Sequence, residues 1–386
     1  MPTNLPPKAK VLMREYQEAS SLEERIEKLQ ALISAIPEHK GTEKLRRQLR
    51  RTLSKLRLEF EEKRRRKAKS SGKGFAVKKE GAGQIVIVGD TMSGKSSFLS
   101  ILTNAKPEIG HSPCTTRIPI PGMMNYKGAQ IQLVEAPSIF PGAPWLLSVL
   151  SLCRNADALI LLIDLSRDWN SQLKFIIESL RRVNITLRKP KVRVEIERRS
   201  SGGIQVFCSG RFLNCNLNDI VDLIRDYGFN NAVVRIWGDV KLEDVENYVA
   251  LNLTYKPSII IANKCDLRGS GEKFKKLKET LNGIIKVLPF SCIYYEKYVE
   301  HVKKEIFDLL DVIRVFTKEV GGEIAEKPLI VPKGTRVIDV ARMIHSRLYR
   351  EFKYAKVWGV SVRFNGQRVG ADHVLSDGDI VEIRTK

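Results

Sequence analysis

The sequence predicts a mainly parallel α/β domain that carries a small inserted α+β segment, a helical region before it and a short β-rich domain after it. Three observations support this. Four apolar runs, at 84–89, 131–135, 158–164 and 258–266, are separated by helical patterns, as expected for strands buried inside a parallel sheet. The stretch between the last two runs is too long for one connecting helix, so a further segment is inserted there. Composition changes at both ends of this region, and 386 residues suit two to four domains.

The first eighty residues read as a basic helical hairpin. Ser21 and Glu24 have capping-box spacing, and Leu22, Ile26, Leu29 and Ile33 follow at helical intervals. Pro37 and Gly41 break the pattern, and Leu45, Leu49, Leu53, Leu56 and Phe60 then line a second helix. The run KRRRKAK, 63–69, closes the hairpin, and SSGKGFAVKKEGAG reads as a linker.

Within the insertion, 191–198 and 204–208 alternate apolar and polar residues around SSGG and predict a β-hairpin. A helix with Ile220, Leu223 and Ile224 on one face follows, then a strand at 232–237. The tail predicts a strand, a helix with Val340, Ile344 and Leu348 inward, a strand pair turning at Asn365-Gly366, and a closing strand. The expected boundaries are 1–80, 81–166, 167–237 (the insertion), 238–322 and 323–386.

The formal net charge of +22 points to a polyanionic partner, RNA before anionic membrane. Six cysteines without Cys-x-x-Cys spacing predict reduced thiols in a cytoplasmic protein rather than a metal site or disulfide framework. The start MPTNLPPKAK has no apolar signal core, and the longest apolar run, 158–163, is too short to span a bilayer.

Two motifs carry chemistry. GDTMSGKS matches G-x-x-x-x-G-K-[ST] between an apolar strand and a helical pattern. In such a loop, backbone N–H groups and the helix N-terminus face phosphates. The expected phosphate-binding residues are Gly89, Asp90, Thr91, Met92, Ser93, Gly94, Lys95, Ser96 and Ser97. Lys95 would reach the β- and γ-phosphates and Ser96 would ligate Mg²⁺.

NKCD, at the end of the fourth apolar run, supplies Asn263, Lys264 and Asp266. A carboxylate there accepts from guanine N1–H and its 2-amino group, a donor pair that adenine lacks. Ser291 and Cys292, in FSC, would close over the base. Thr115 and Thr116 lie between the phosphate loop and the next strand, where a threonine would complete a Mg²⁺ shell; Thr116 is the choice.

YKGAQIQLVEAPSI and EFKYAKVWGVSVRFNGQRVGADHVLSDGDIVEI carry a further likeness. With the two motifs, they make the chain resemble the Obg-superfamily GTPases, in the developmentally regulated GTP-binding branch. The resemblance spans nearly the whole chain. It implies a P-loop G domain, an N-terminal helical region, an insertion like part of a ribosomal protein fold, and a C-terminal TGS domain of β-grasp type. It also implies GTP/GDP binding with Mg²⁺, slow hydrolysis, and association with the ribosome or structured RNA. An accessory protein is a further partner to test.

The chain departs from the family at its switch. Glu135-Ala136-Pro137-Ser138 stands where the family has Asp-x-Pro-Gly. Glu135 keeps the metal-orienting charge with one more methylene. Ser138 keeps an N–H but loses glycine's backbone freedom, with a strain of about 1–3 kcal/mol if positive φ is required. Ile139 follows where many GTPases place glutamine, and Met92 is a poor ligand for K⁺. No catalytic base is evident. Two readings follow, a slow GTPase and a nucleotide-sensing scaffold with little hydrolysis. An ATP-dependent RNA remodeller is disfavoured by Asp266.

Overall fold

The computed structural model describes residues 6–19, 21–37, 41–70, 75–105, 117–189, 192–251 and 253–385. In chain order the helices are α1 (Pro7–Glu18), α2 (Leu22–Ala35), α3 (Glu43–Ser70), α4 (Lys95–Leu102), α5 (Leu146–Asn155), α6 (Trp169–Arg182), α7 (Leu217–Asp226), α8 (Leu242–Leu251), α9 (Ser270–Thr280), α10 (Val299–Leu309), α11 (Val337–Ile344) and α12 (Ser346–Arg350). The strands are β1 (Gln84–Gly89), β2 (Ile120–Tyr126), β3 (Ala129–Glu135), β4 (Ala158–Asp164), β5 (Ile185–Thr186), β6 (Arg193–Arg198), β7 (Ile204–Ser209) and β8 (Ala232–Trp237). They continue with β9 (Thr254–Tyr255), β10 (Ser258–Asn263), β11 (Lys286–Pro289), β12 (Val312–Thr317), β13 (Leu329–Pro332), β14 (Phe352–Trp358), β15 (Gln367–Val369) and β16 (Asp379–Thr385).

The chain divides into two compact units, residues 1–74 with 184–255 and residues 75–183 with 256–386. In the larger unit a six-stranded sheet runs β11-β10-β4-β1-β3-β2. Every neighbouring pair is parallel except β2 with β3. QIVIVG and ALILLID are buried at every position, which explains their unbroken apolar character. Gly89 pairs with Leu162, and Asp164 with Asn263, so the last residues of β1, β4 and β10 lie along one edge of the sheet. Phe98 of α4 meets Phe290 edge-on, with centroids 4.9 Å apart, beneath that edge.

The unit's second sheet runs β13-β12-β16-β14-β15 and closes over α11. It recruits Val312–Thr317, ahead of the expected start at 323, because β12 pairs parallel with β16. Val340 is buried as expected, but Ile344 is exposed. α11 ends at Ile344, since His345 leaves helical geometry at φ −160°, and that last residue is left uncovered; Val337 and Ala341 complete the buried face instead. β14 and β15 pair antiparallel, as expected, and the Gly366 N–H donates to the Val357 carbonyl.

In the smaller unit the expected two-helix hairpin is a three-helix cluster. α1 adds Ala9, Leu12, Met13 and Tyr16 to the core built by Leu29, Leu32, Leu49 and Leu53. Ser21 caps α2 by accepting from the Glu24 N–H at 3.1 Å. The expected β-hairpin does not form. The sheet order is β6-β8-β7, with β8 antiparallel to β6 and parallel to β7. β8 carries the apolar run AVVRIW with four buried positions, so it takes the centre and separates the two half-polar strands. α7 has the expected inward face of Ile220, Leu223 and Ile224 and a capping box from Asn216 and Asp219.

The segment grouped with the N-terminal helices is 184–255, where the sequence suggested 167–237. α6 belongs with the large sheet because Gln172 clasps the backbone of Asp164 at 3.0 and 2.9 Å. The segment's two ends lie side by side as the parallel pair β5 and β9. Salt bridges join α3 to this segment, Arg50 to Glu246 at 2.7 Å and Arg47 to Asp226 at 3.0 Å.

Among the described residues no helix is long and apolar enough to cross a membrane, and the five described cysteines are free thiols. Cys153 is fully buried, which pushes its thiol up to about 12.

Lys256 donates to the Ala156 carbonyl, and burial, with Lys79 nearby, pulls its ammonium down to about 8 from 10.5. Between those values the unfolded chain binds more protons than the folded one. The native chain therefore gains stability as pH rises through that window. Against a Lys256→Met variant, which lacks this titration, thermal melts from pH 7.5 to 10.5 should move in the native chain's favour. A difference independent of pH would show that the lysine keeps its ordinary affinity for protons.

Candidate functional site

The site forms at the shared edge of β1, β4 and β10. β1 ends at Gly89, and the chain loops through Asp90, Thr91, Met92, Ser93 and Gly94 into α4. A Cβ on Gly89 would stand 2.6 Å from the Leu162 carbonyl, so the loop leaves the sheet where only glycine fits. Asp90 Oδ1 accepts from the Thr91 N–H at 2.6 Å, and Ser93 Oγ donates to the Asp90 carbonyl at 2.9 Å. Met92 sits in the left-handed region at φ +55° with its side chain exposed. Lys95, Ser96 and Ser97 form the first turn of α4, where unpaired N–H groups favour an anion.

Lys95 is 4% exposed and turns inward. Its ammonium donates to the Asp90 carbonyl at 2.7 Å, to Ser138 Oγ at 2.8 Å and to the Gly89 carbonyl at 3.2 Å. Ser96 Oγ donates to Glu135 Oε1 at 2.6 Å, so the longer acid at the end of β3 reaches the helix start. Ser138 is buried and its φ lies outside the left-handed region, so the backbone strain expected there does not arise in this conformation.

Asn263 Nδ2 donates to the Ser93 carbonyl at 2.8 Å, tying the end of β10 to the loop before α4. The Cys292 thiol donates to Asn263 Oδ1 at 3.5 Å, and burial raises its pKa. Lys264 takes φ +63° and sends its ammonium to Asp164 Oδ2 at 2.6 Å, which stretches its stem across the edge of the sheet. Asp266 is exposed on the same loop. Ser291 is fully buried and accepts from the N–H groups of Ile293 and Tyr294 at 3.2 Å. The structure thus brings the expected residues of both motifs together with Glu135 and Ser138. Thr115 and Thr116 lie outside the described residues.

Three residues that the sequence reading missed also converge here. Asp164 is 1% exposed and accepts from Lys264 and from Ser166 Oγ at 2.6 Å. Its signal was visible, an acid ending the apolar run ALILLID. Arg167 bridges Asp164 to Asp90 at 3.8 and 3.6 Å and donates to the Thr91 carbonyl at 3.2 Å. Trp145 Nε1 donates to the Ser138 carbonyl at 2.8 Å. Neither of these last two contacts has a local sequence signature.

Residues 84–194 match the family described as 50S ribosome-binding GTPase, 201–312 the C-terminal region of the MMR_HSR1 domain, and 313–385 the TGS domain. The chain is 35% identical over 372 residues to an uncharacterized GTP-binding protein of Methanocaldococcus jannaschii, covering 95% of this chain and 93% of that one. It is 30% identical over 372 residues to developmentally-regulated GTP-binding protein 1 of Xenopus laevis, covering 94% and 98%. The chain belongs to the developmentally regulated GTP-binding proteins.

Among solved structures, the Schizosaccharomyces pombe YchF GTPase aligns with a TM-score of 0.48 and 15% identity, over 80% of this chain and 99% of that one. The family matches make the larger unit a P-loop GTPase domain followed by a TGS domain, in a GTP-binding protein.

GTPases of this kind generally bind nucleotide with Mg²⁺. Ser96 and Glu135 present hard oxygen donors side by side, the donor chemistry that Mg²⁺ takes.

The loop geometry yields a direct test. Gly94 has φ +92°, and a Cβ there would stand 2.3 Å from Asn263 Nδ2. Gly94→Ala should break the link to Ser93 and weaken fluorescent GDP binding by at least about tenfold, with about 1–3 kcal/mol lost in thermal or urea unfolding. Native affinity in a folded Gly94→Ala variant would mean that the Asn263 link does not shape the site.

Proposed function

We propose that this protein hydrolyses GTP slowly with Mg²⁺ and acts with the ribosome or structured RNA in the cytoplasm. The observation that carries the enzymatic part is the meeting of Ser96 Oγ and Glu135 Oε1 at 2.6 Å, next to Lys95 in the first turn of α4. The extra methylene of Glu135 still lets its carboxylate reach Ser96, which supports a reading in which the switch acid serves as aspartate does elsewhere. Lys95 and the first turn of α4 would hold the β- and γ-phosphates, and bound Mg²⁺ would neutralise charge developing on them. Asp266 would select guanine, with Asn263, Lys264, Ser291 and Cys292 shaping its pocket.

A second reading, a nucleotide-sensing scaffold with little hydrolysis, draws on the altered switch Glu135-Ala136-Pro137-Ser138, in which the Ser138 hydroxyl accepts from Lys95 at 2.8 Å. Single-turnover hydrolysis by the purified protein, in Na⁺ and in K⁺ and against Lys95→Ala, separates the two. The expected result is a slow rate clearly above the Lys95→Ala blank and alike in both salts, since Met92 offers K⁺ no hard ligand. Tight GTP binding with no turnover above the blank would favour the scaffold.

The partner rests on charge and on one surface. The net charge is +22, and the basic run 63–69 lies within α3. On the β14–β15 side of the TGS sheet, Arg368 lies 3.8 Å over the Tyr354 ring, and Lys318 lies 5.1 Å from the Trp358 centroid. Lys356 pairs with Arg368 between these two aromatics. Such a face offers both phosphate contacts and stacking surfaces. The description of the matching family as ribosome-binding points the same way. Affinity for ribosomes or structured RNA should fall by roughly tenfold or more between 50 and 200 mM salt, and further on removal of residues 1–80. Binding that ignores salt in a filter or sedimentation assay would count against a phosphate-contacting partner.

A further inference from the structure

We infer that the Ser138 hydroxyl is an internal ligand of Lys95, which an arriving nucleotide phosphate must displace, and that it thereby sets nucleotide affinity. The inference rests on reading Lys95 as the phosphate-binding lysine. An ammonium has three N–H donors. Here Asp90 O, Ser138 Oγ and Gly89 O lie within 2.7, 2.8 and 3.2 Å of Nζ. A phosphate oxygen reaching Nζ takes the place of one of them, and the ionic contact is the stronger.

The three acceptors are not equally free to leave. Gly89 is locked in the β1–β4 register, and its carbonyl also accepts from the Ile139 N–H at 3.1 Å. The Asp90 carbonyl is the next peptide along and also holds Ser93 Oγ at 2.9 Å. Both could move only with the end of the strand. Ser138 comes from another segment, 43 residues further on, and accepts from the lysine through its side-chain hydroxyl.

The peptide that links Ser138 to Ile139 is fixed at both of its polar groups. The Ile139 N–H is bound to Gly89, and the Ser138 carbonyl accepts from Trp145, whose ring stands edge-on to Phe140 with centroids 6.1 Å apart. A change of one side-chain rotamer therefore releases the lysine and leaves the loop in place. A glycine at this position offers no such competitor.

The test is titration of fluorescent GDP and GTP analogues against the full chain and its Ser138→Ala, Ser138→Gly and Ser138→Thr variants. Thermal melts confirm that each variant is folded. Removing the hydroxyl should tighten both nucleotides by roughly three- to tenfold in the alanine and glycine variants. Threonine, which keeps a hydroxyl, should recover native-like affinity. Unchanged or weaker binding in folded Ser138→Ala overturns the inference. So does tightening in the glycine variant alone, which would trace to backbone freedom. Loss of GTP with GDP untouched in Ser138→Ala also overturns it, by making the hydroxyl a γ-phosphate ligand rather than a competitor. Lys95→Ala is the control for the underlying reading. If it binds nucleotide as the native chain does, the assignment of Lys95 fails, separately from the role of Ser138.

Discussion

The hydrogen bond from Asn263 to the Ser93 carbonyl joins two loops 170 residues apart in the chain, and the rest of the site depends on it. It forms because β10 and β1 both pair with β4 in parallel register and finish at the same edge. Only then does an amide at the end of β10 lie beside a loop leaving β1. Cys292 fixes the amide's orientation by donating to its oxygen, so Nδ2 is the end that faces Ser93. One bond thus sets the distance between the lysine-bearing loop and the loop that ends in Asp266. In the proposed nucleotide site, the distance from phosphate loop to base pocket follows from the spacing of these strands.

Charge is arranged around that bond with few loose ends. Asp164 is buried, and a buried carboxylate without cations would be costly. Lys264 and Arg167 both address it, and Arg167 continues to Asp90 and the Thr91 carbonyl. The two loops are therefore coupled electrostatically on one side and by the Asn263 amide on the other. A shift of Lys264 towards a ligand would be felt at Asp164, and through Arg167 at the first residues after β1.

Much of this was legible in the sequence, for a physical reason. Strands buried on both faces must be apolar throughout, so QIVIVG, ALILLID and SIIIAN stand out, and the motif loops leave directly from their ends. Pairing was less legible. The half-polar strands β6 and β7 look like a hairpin because alternation reports which face is buried, not which neighbour is bonded. α1 escaped notice because its core residues, buried Ala9 and partly buried Leu12, Met13 and Tyr16, are few and spread through a basic stretch. Ile344 continues a helical stripe in the sequence, yet the helix stops at His345. The contacts of Ser138 and Trp145 arise from tertiary placement and have no periodicity to betray them.

The smaller unit is assembled from two pieces of chain, 1–74 and 184–255. Arg47, Arg50 and Ser54 of α3 find Asp226, Glu246 and the Tyr227 carbonyl only once the second piece exists. At about 5–20 residues per second, the first piece waits roughly 5 to 20 seconds for the second to begin. Throughout that time Arg47 lacks Asp226 and Arg50 lacks Glu246, and the ribosomal RNA of the machine making the chain is the polyanion closest to them. The order in which this protein is synthesised thus exposes its most basic helix before its own partners are available.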